Sequence, residues 1–352
     1  MSSVANKMVQ AAAGSGDILD TLLFGTYFGG RELIVLDVSD ISNISDISSR
    51  SLSGVYFSNS FASLDLTNKL LLLPATGGSA YETHTYNISN LSSISQIDTF
   101  YTGVPSQLGS VVDSDGEILY VHGGNSTTKK LDKLDYSTPT ALSRISQTAT
   151  STYRTYYNME LTSDGDTLFG IASSGNGSGE LKSYDVSGTT VSVLDTLSHN
   201  GGANSSTGKY SGLMWIEQDN YLLGTNEYGY VKSFDVSDVN NLTLVDTIAV
   251  NSNSGLQYRH YSALDSVNNL AFIIDYDANV NIIDVSDPTN LVYKNRISTH
   301  NGSYTDFASY GFVTVDPARK LAFCSLENGS HVSKAYLHII NYSDLDNLTL
   351  TS

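Results

Sequence analysis

Arg259, His260 and Tyr261 are consecutive, and Tyr156, Tyr157 and Asn158 form a second run of similar character, with Tyr210 and Tyr310 falling alone. A guanidinium, an imidazole and several phenol rings can hold a sugar or an anionic group, the ring faces supplying contact area and the polar tips fixing orientation. The plainer reading of the same residues, polar packing around water, is preferred. Other candidates fail on spacing. Asp113-Ser114-Asp115-Gly116-Glu117 and Asp164-Gly165-Asp166 bring carboxylates close together, but neither has the further ligands and late bidentate Glu of a calcium loop, so both read as turns. Gly77-Gly78, His122-Gly123-Gly124-Asn125 and the run Ser174 to Gly179 are glycine-rich without a following helix or a placed Lys, so they read as loops rather than phosphate cradles. The seven His residues are scattered without His-x-x-x-His spacing, and neither a metal site nor a cofactor is expected. Ser and Asp are so abundant that any Ser/His/Asp set would be arbitrary, and no catalytic residue is assigned.

The elements that would position these residues are set by a repeat. A strand running into Asp/Asn-x-Ser recurs at Asp37-Val38-Ser39, Asn87-Ile88-Ser89, Asp135-Tyr136-Ser137, Asp185-Val186-Ser187, Asp235-Val236-Ser237, Asp284-Val285-Ser286 and Asn341-Tyr342-Ser343, at steps of 50, 48, 50, 50, 49 and 57 residues. A strand-based repeat of this length predicts a β-propeller. The expected fold is therefore all-β, a seven-bladed propeller of four-stranded antiparallel blades, in one domain over 1–352. The approximate blades are 8–53, 54–103, 104–150, 151–200, 201–252, 253–300 and 301–352. Tyr156, Tyr157, Asn158, Tyr210, Arg259, His260, Tyr261 and Tyr310 would then enter innermost strands and face the mouth of the central channel.

The sixth unit illustrates the plan. Tyr261 to Leu264, Leu270 to Ile274, Val280 to Asp284 and Leu291 to Ile297 read as four strands, β-branched and aromatic, separated by Asp, Asn, Ser and Pro288. Four units share a first turn of the form hydrophobic-Asp-four residues-hydrophobic, from Asp65, Asp113, Asp265 and Asp316, whose carboxylates should bond turn N–H groups. A second Asp (Asp40, Asp238, Asp287) should cap the turn after the third strand. Met8 to Ala12 is expected to be the first strand of unit one and Asn347 to Thr351 the last strand of unit seven. No strand is then borrowed to close the ring, and closure rests on apolar packing.

The chain of 352 residues is 40% hydrophobic, enough for a core, and carries a net charge of −18. With only Lys129-Lys130 as a basic pair, nucleic acid and anionic membrane surfaces are poor partners. No apolar run is long enough to span a bilayer, and the N-terminus lacks a secretory h-region. Cys324, the sole cysteine, sits in an apolar strand and reads as core. Eleven Asn-x-Ser/Thr sequons, Asn43, Asn125, Asn204, Asn241 and Asn347 among them, arise mainly from the turn composition.

The segments Leu33 to Asp40, Val231 to Asp238 and Val280 to Leu291 resemble the LVIVD-repeat family of β-propellers. The resemblance implies the fold and a role in surface contacts, and brings no catalytic residues. The expectation is a non-enzymatic structural or adhesive module on a virion or cell exterior, with the cytoplasm as the alternative location. Its partners would be other proteins in a larger assembly, or glycans. A carbohydrate- or receptor-binding propeller is the alternative, and a hydrolase or lyase with its site in the channel mouth ranks last.

Overall fold

The computed structural model describes residues 7–10, 22–27, 32–51, 62–74, 81–103, 107–124, 129–150, 159–173, 178–200, 210–226, 229–250, 262–275, 279–299, 308–328 and 335–351. They form an all-β, seven-bladed propeller in which each blade is an antiparallel sheet of four consecutive strands. Lys7–Gln10 pairs inside blade 1 and Thr349–Thr351 inside blade 7, so no strand is exchanged between the chain's two ends among the described residues. No helix among the described residues is long and apolar enough to cross a membrane. Contacts divide the chain into two compact units. One comprises Met1–Ser49, Met214–Asp235 and Leu244–Ser352, and the other Arg50–Leu213 and Val236–Thr243.

Burial grades across each blade. Second strands such as Leu70–Pro74 and Leu270–Ile274 are buried throughout, having a sheet neighbour on both sides, and Leu270–Ile274 also packs on blades 5 and 7. Fourth strands such as Ser95–Tyr101 and Thr243–Ala249 are mostly exposed or half-buried. A register shift recurs between third and fourth strands at one repeat position, at Thr85/Tyr86, Lys133/Leu134, Ser183/Tyr184 and Ile282/Ile283. A bulge there adds local twist.

The repeated turn has a uniform mechanism. The Ser N–H donates to the anchor side chain at 2.8 Å in Asp37, Asn87 and Asp135, and at 2.9–3.0 Å in Asp284, Asn341 and Asp185. The residue between them is buried, and its N–H donates to the last residue of the blade's first hairpin, as in Ile88 to Lys69 at 2.9 Å and Val285 to Asn269 at 2.9 Å. That hairpin residue is left-handed, with φ of 54° at Lys69, Glu117 and Asn269. Hydrogen bonding to Ser39 holds the Asp37 carboxyl below its ordinary range, and Ser137 and Ser187 do the same for Asp135 and Asp185. Asp40, Asp238 and Asp287 each accept an N–H from two residues on, as expected.

Within the second unit, Leu70 and Leu72 pack on Leu119, Val121, Leu134 and Leu142 between blades 2 and 3, and Tyr120 and Leu131 on Met159, Leu168 and Tyr184 between blades 3 and 4. Within the first, Phe272 and Ile282 pack on Cys324 and Ile340 between blades 6 and 7. Leu23, Ile34, Leu36 and Val38 pack on Leu321, Phe323 and Ile339 between blades 1 and 7. Burial pushes the Cys324 thiol well up, in keeping with a core residue. The apolar joint of blades 7 and 1 also has a polar clasp that was not foreseen: Arg319 Nη1 donates to the Val38 carbonyl at 2.6 Å while its Nε donates to Asp316 at 2.5 Å.

Candidate functional site

Propeller blades present their first strands toward the axis, where ligands commonly bind. Of the residues proposed from sequence, Tyr210 and Tyr310 lie on first strands, Tyr210–Ile216 and Ala308–Asp316, by their backbones. Their side chains, and Tyr156, Tyr157, Asn158, Arg259, His260 and Tyr261 altogether, lie outside the described residues. Asp113 and Asp164 act as turn residues: Asp113 accepts from Gly116 N–H at 2.9 Å, and Asp164 from Asp166 N–H at 3.0 Å. No group of three or more His, Cys, Asp or Glu gathers among the described residues.

One first-strand residue that the sequence reading missed has the character of a reactive group. Blade 4 begins with the three-residue strand Met159–Leu161, paired to Thr167–Ser173 in the register Met159↔Gly170, Glu160↔Phe169 and Leu161↔Leu168. Met159 and Leu161 join the apolar cluster between blades 3 and 4, so alternation turns Glu160 to the opposite face. Glu160 is half-buried as a residue, and burial, the cause found among the described residues, pushes its carboxyl up to about 8. Near neutral pH such a carboxyl is mostly protonated and can both give and take a proton. The same position, two residues before the hairpin Asp, holds Ser63, Val111, Ala263 and Thr314 in blades 2, 3, 6 and 7. An acid there is thus an exception to the repeat, a signal available from aligning the units.

Buried polar groups surround the point where the chain leaves blade 3 for that strand. Thr150 is buried; its N–H donates to the Lys129 carbonyl at 3.2 Å, and its Oγ1 lies 2.8 Å from His122 Nε2. Its carbonyl accepts from Lys182 Nζ at 3.0 Å, and the same ammonium lies 3.0 Å from Glu180 Oε1, both side chains being buried. The preceding blade repeats the device. The Thr102 carbonyl accepts from Arg144 Nη2, whose Nε donates to the buried Asp132 at 3.1 Å. Burial raises the Asp132 carboxyl, opposed by Gln147 and Arg144.

No family model and no curated protein sequence matches this chain. Solved structures do resemble it. A periplasmic gluconolactonase of Pseudomonas aeruginosa aligns with TM-score 0.73 at 14% identity, covering 94% of each chain. A Bacteroides uniformis protein, provisionally assigned as a 6-phosphogluconolactonase, aligns with TM-score 0.65 at 15% identity, over 84% of this chain and 82% of that one. Hydrazine synthase of Kuenenia stuttgartiensis aligns with TM-score 0.66 at 15% identity, over 94% and 92%. At these identities the likeness is one of fold. It nevertheless corrects the expectation of a non-enzymatic structural or adhesive module. That expectation rested on propellers being mainly binding platforms and on the lack of a catalytic set in the sequence. Chains named for lactone hydrolysis share this architecture over four-fifths or more of their length.

Proposed function

We propose that the chain is a hydrolase that opens a cyclic ester of the sugar-lactone class, with Glu160 as its general acid. The observation that carries the reading is the Glu160 carboxyl, on a first strand where its residue is half-buried, raised by burial to about 8. The likeness to gluconolactonase-type propellers supports it and supplies the substrate class. Water adds to the lactone carbonyl and the bond from that carbon to the ring oxygen breaks. The ring oxygen takes the Glu160 proton, and the proton shed by the added water restores the carboxyl. At pH 7 about nine-tenths of a group with this pKa is protonated, the state the step requires.

The test is acid release from glucono-δ-lactone, followed by pH-stat between pH 5.5 and 7 against the spontaneous rate. The expected result is a catalysed rate that Glu160→Gln lowers by about 10²–10⁴-fold, the usual contribution of a general acid. A rate equal to the spontaneous one, or a Glu160→Gln protein as active as the parent, overturns the reading.

A further inference from the structure

We propose that His84 is an acid sensor built into blade 2: a proton taken up by its buried ring breaks a side-chain tie between the third and fourth strands and loosens the outer strand, Ser95–Tyr101. The device stands apart from the lactone-hydrolase reading and needs no ligand. Three residues before the anchor, the third strands carry Ile34, His84, Asp132, Lys182, Lys232, Asn281 and His338. Only Ile34 is apolar. Asp132 meets Arg144 and Lys182 meets Glu180, so in blades 3 and 4 the buried group has an opposite charge within 3.1 Å. Blade 2 holds instead a side chain whose charge changes in mild acid.

His84 is 4% exposed. Cross-strand pairing places Leu73 on one side of it and Thr99 on the other, and Tyr86 follows on the same face. The Tyr86 ring, also buried, stacks beside the imidazole with centroids 6.3 Å apart. Gln96 Nε2 donates to His84 Nδ1 at 2.9 Å and to Thr99 Oγ1 at 2.5 Å, which puts the single ring proton on Nε2, 3.3 Å from Glu82 Oε2. Second and fourth strands thus face the ring with Leu73, Gln96 and Thr99, none of them titratable. The charged side chains shown around this face are Glu82 and Arg50. Glu82 favours the imidazolium, but its side chain is 27% exposed and water screens it. Arg50 lies over the Tyr86 ring at 5.7 Å and donates to the Ile94 carbonyl at 2.6 Å.

Burial outweighs Glu82 and holds the imidazole below its ordinary 6.5. The unfolded chain therefore binds a proton that the folded one resists. Stability is complete above pH 6.5 and is lost as pH falls below it. A proton that does enter goes to Nδ1, where it meets the Gln96 N–H donor to donor, and the tie to the outer strand must break.

The experiment compares the parent with His84→Gln, which is neutral at every pH, by ring-carbon NMR titration, thermal melting and hydrogen exchange. The His84 ring should titrate below pH 6.5. Between pH 7.5 and 5 the parent should lose at least about one degree more of melting temperature than the variant. Exchange in Ser95–Tyr101, corrected for the intrinsic rate, should quicken at least about three-fold in the parent alone. A midpoint at or above 6.5, or equal losses in both proteins, overturns the proposal. If His84→Gln does not fold, Glu82→Gln removes the one group that favours the charged ring, so the midpoint should fall further. A midpoint that stays or rises in that variant overturns the proposal equally.

Discussion

Blades 6 and 7 are joined by a phenol, and blades 7 and 1 by a guanidinium. In the first joint Tyr342, the middle residue of its anchor, donates to the buried Asp265 of the preceding blade at 2.6 Å. Asp265 also accepts from Asn268 Nδ2 at 2.7 Å and Asn268 N–H at 2.9 Å. In the second joint the anchor's middle residue is Val38, whose side chain has nothing to donate, and Arg319 of the preceding blade reaches forward to its carbonyl. The donor has changed sides of the joint. The same alternation occurs in the other unit. Tyr136 donates to Asp65 at 2.8 Å between blades 2 and 3, and Lys133 donates to the Val186 and Gly188 carbonyls at 2.5 and 2.8 Å between blades 3 and 4. A repeat thus keeps its backbone while exchanging the chemistry that ties one copy to the next.

Removing the donor should separate the two designs. Arg319→Met leaves both the Val38 carbonyl and the nearly buried Asp316 carboxylate short of a partner, and should cost about 2–4 kcal/mol. Urea unfolding measures it. A loss under about 0.5 kcal/mol would mean that the apolar packing of blades 7 and 1 is sufficient. Tyr342→Phe leaves Asp265 with its Asn268 bonds and should cost less, about 1–1.5 kcal/mol. A double-mutant cycle with Asp265→Asn should give a coupling of similar size, and additive losses would show that the phenol contact contributes nothing of its own. The smallest effect belongs to the turns that both designs share. The carboxyls of Asp37, Asp135 and Asp185 are held below the ordinary value of 3.8, so their stabilisation is complete above that pH and drains away as pH falls through the lowered values. Ser137→Ala should lower the melting temperature by about a degree at pH 6 and by progressively less as pH falls below 3.8, and a loss that does not change with pH would assign the effect to packing.

The architecture was legible because the anchor obeys a local rule: a side chain bonding its own backbone two residues on needs only Asp or Asn followed by Ser. The hairpin aspartates were legible for the same reason. The joints were harder, since Tyr342 and Asp265 are 77 residues apart in sequence. Even so, Tyr appears as the middle anchor residue only in blades 3 and 7, each following a blade whose hairpin reads Asp-x-x-Asn (Asp65 to Asn68, Asp265 to Asn268). Glu160 escaped because candidates were taken from aromatic and basic runs and from closely spaced carboxylates, not from departures from the repeat. Its raised pKa comes from burial, which no local motif encodes.

The reach from Arg319 to Val38 spans 281 residues. During synthesis at about 5–20 residues per second, roughly 15–60 seconds separate the emergence of the two partners. Throughout that interval Leu23, Ile34, Leu36 and Val38 have no seventh blade to cover them, whereas blades 2 and 3, 3 and 4, and 6 and 7 meet within a single repeat. The nascent first blade is therefore the sticky end of this protein on the ribosome, the place where a holding chaperone would find its hydrophobic target and where a stalled chain would aggregate first.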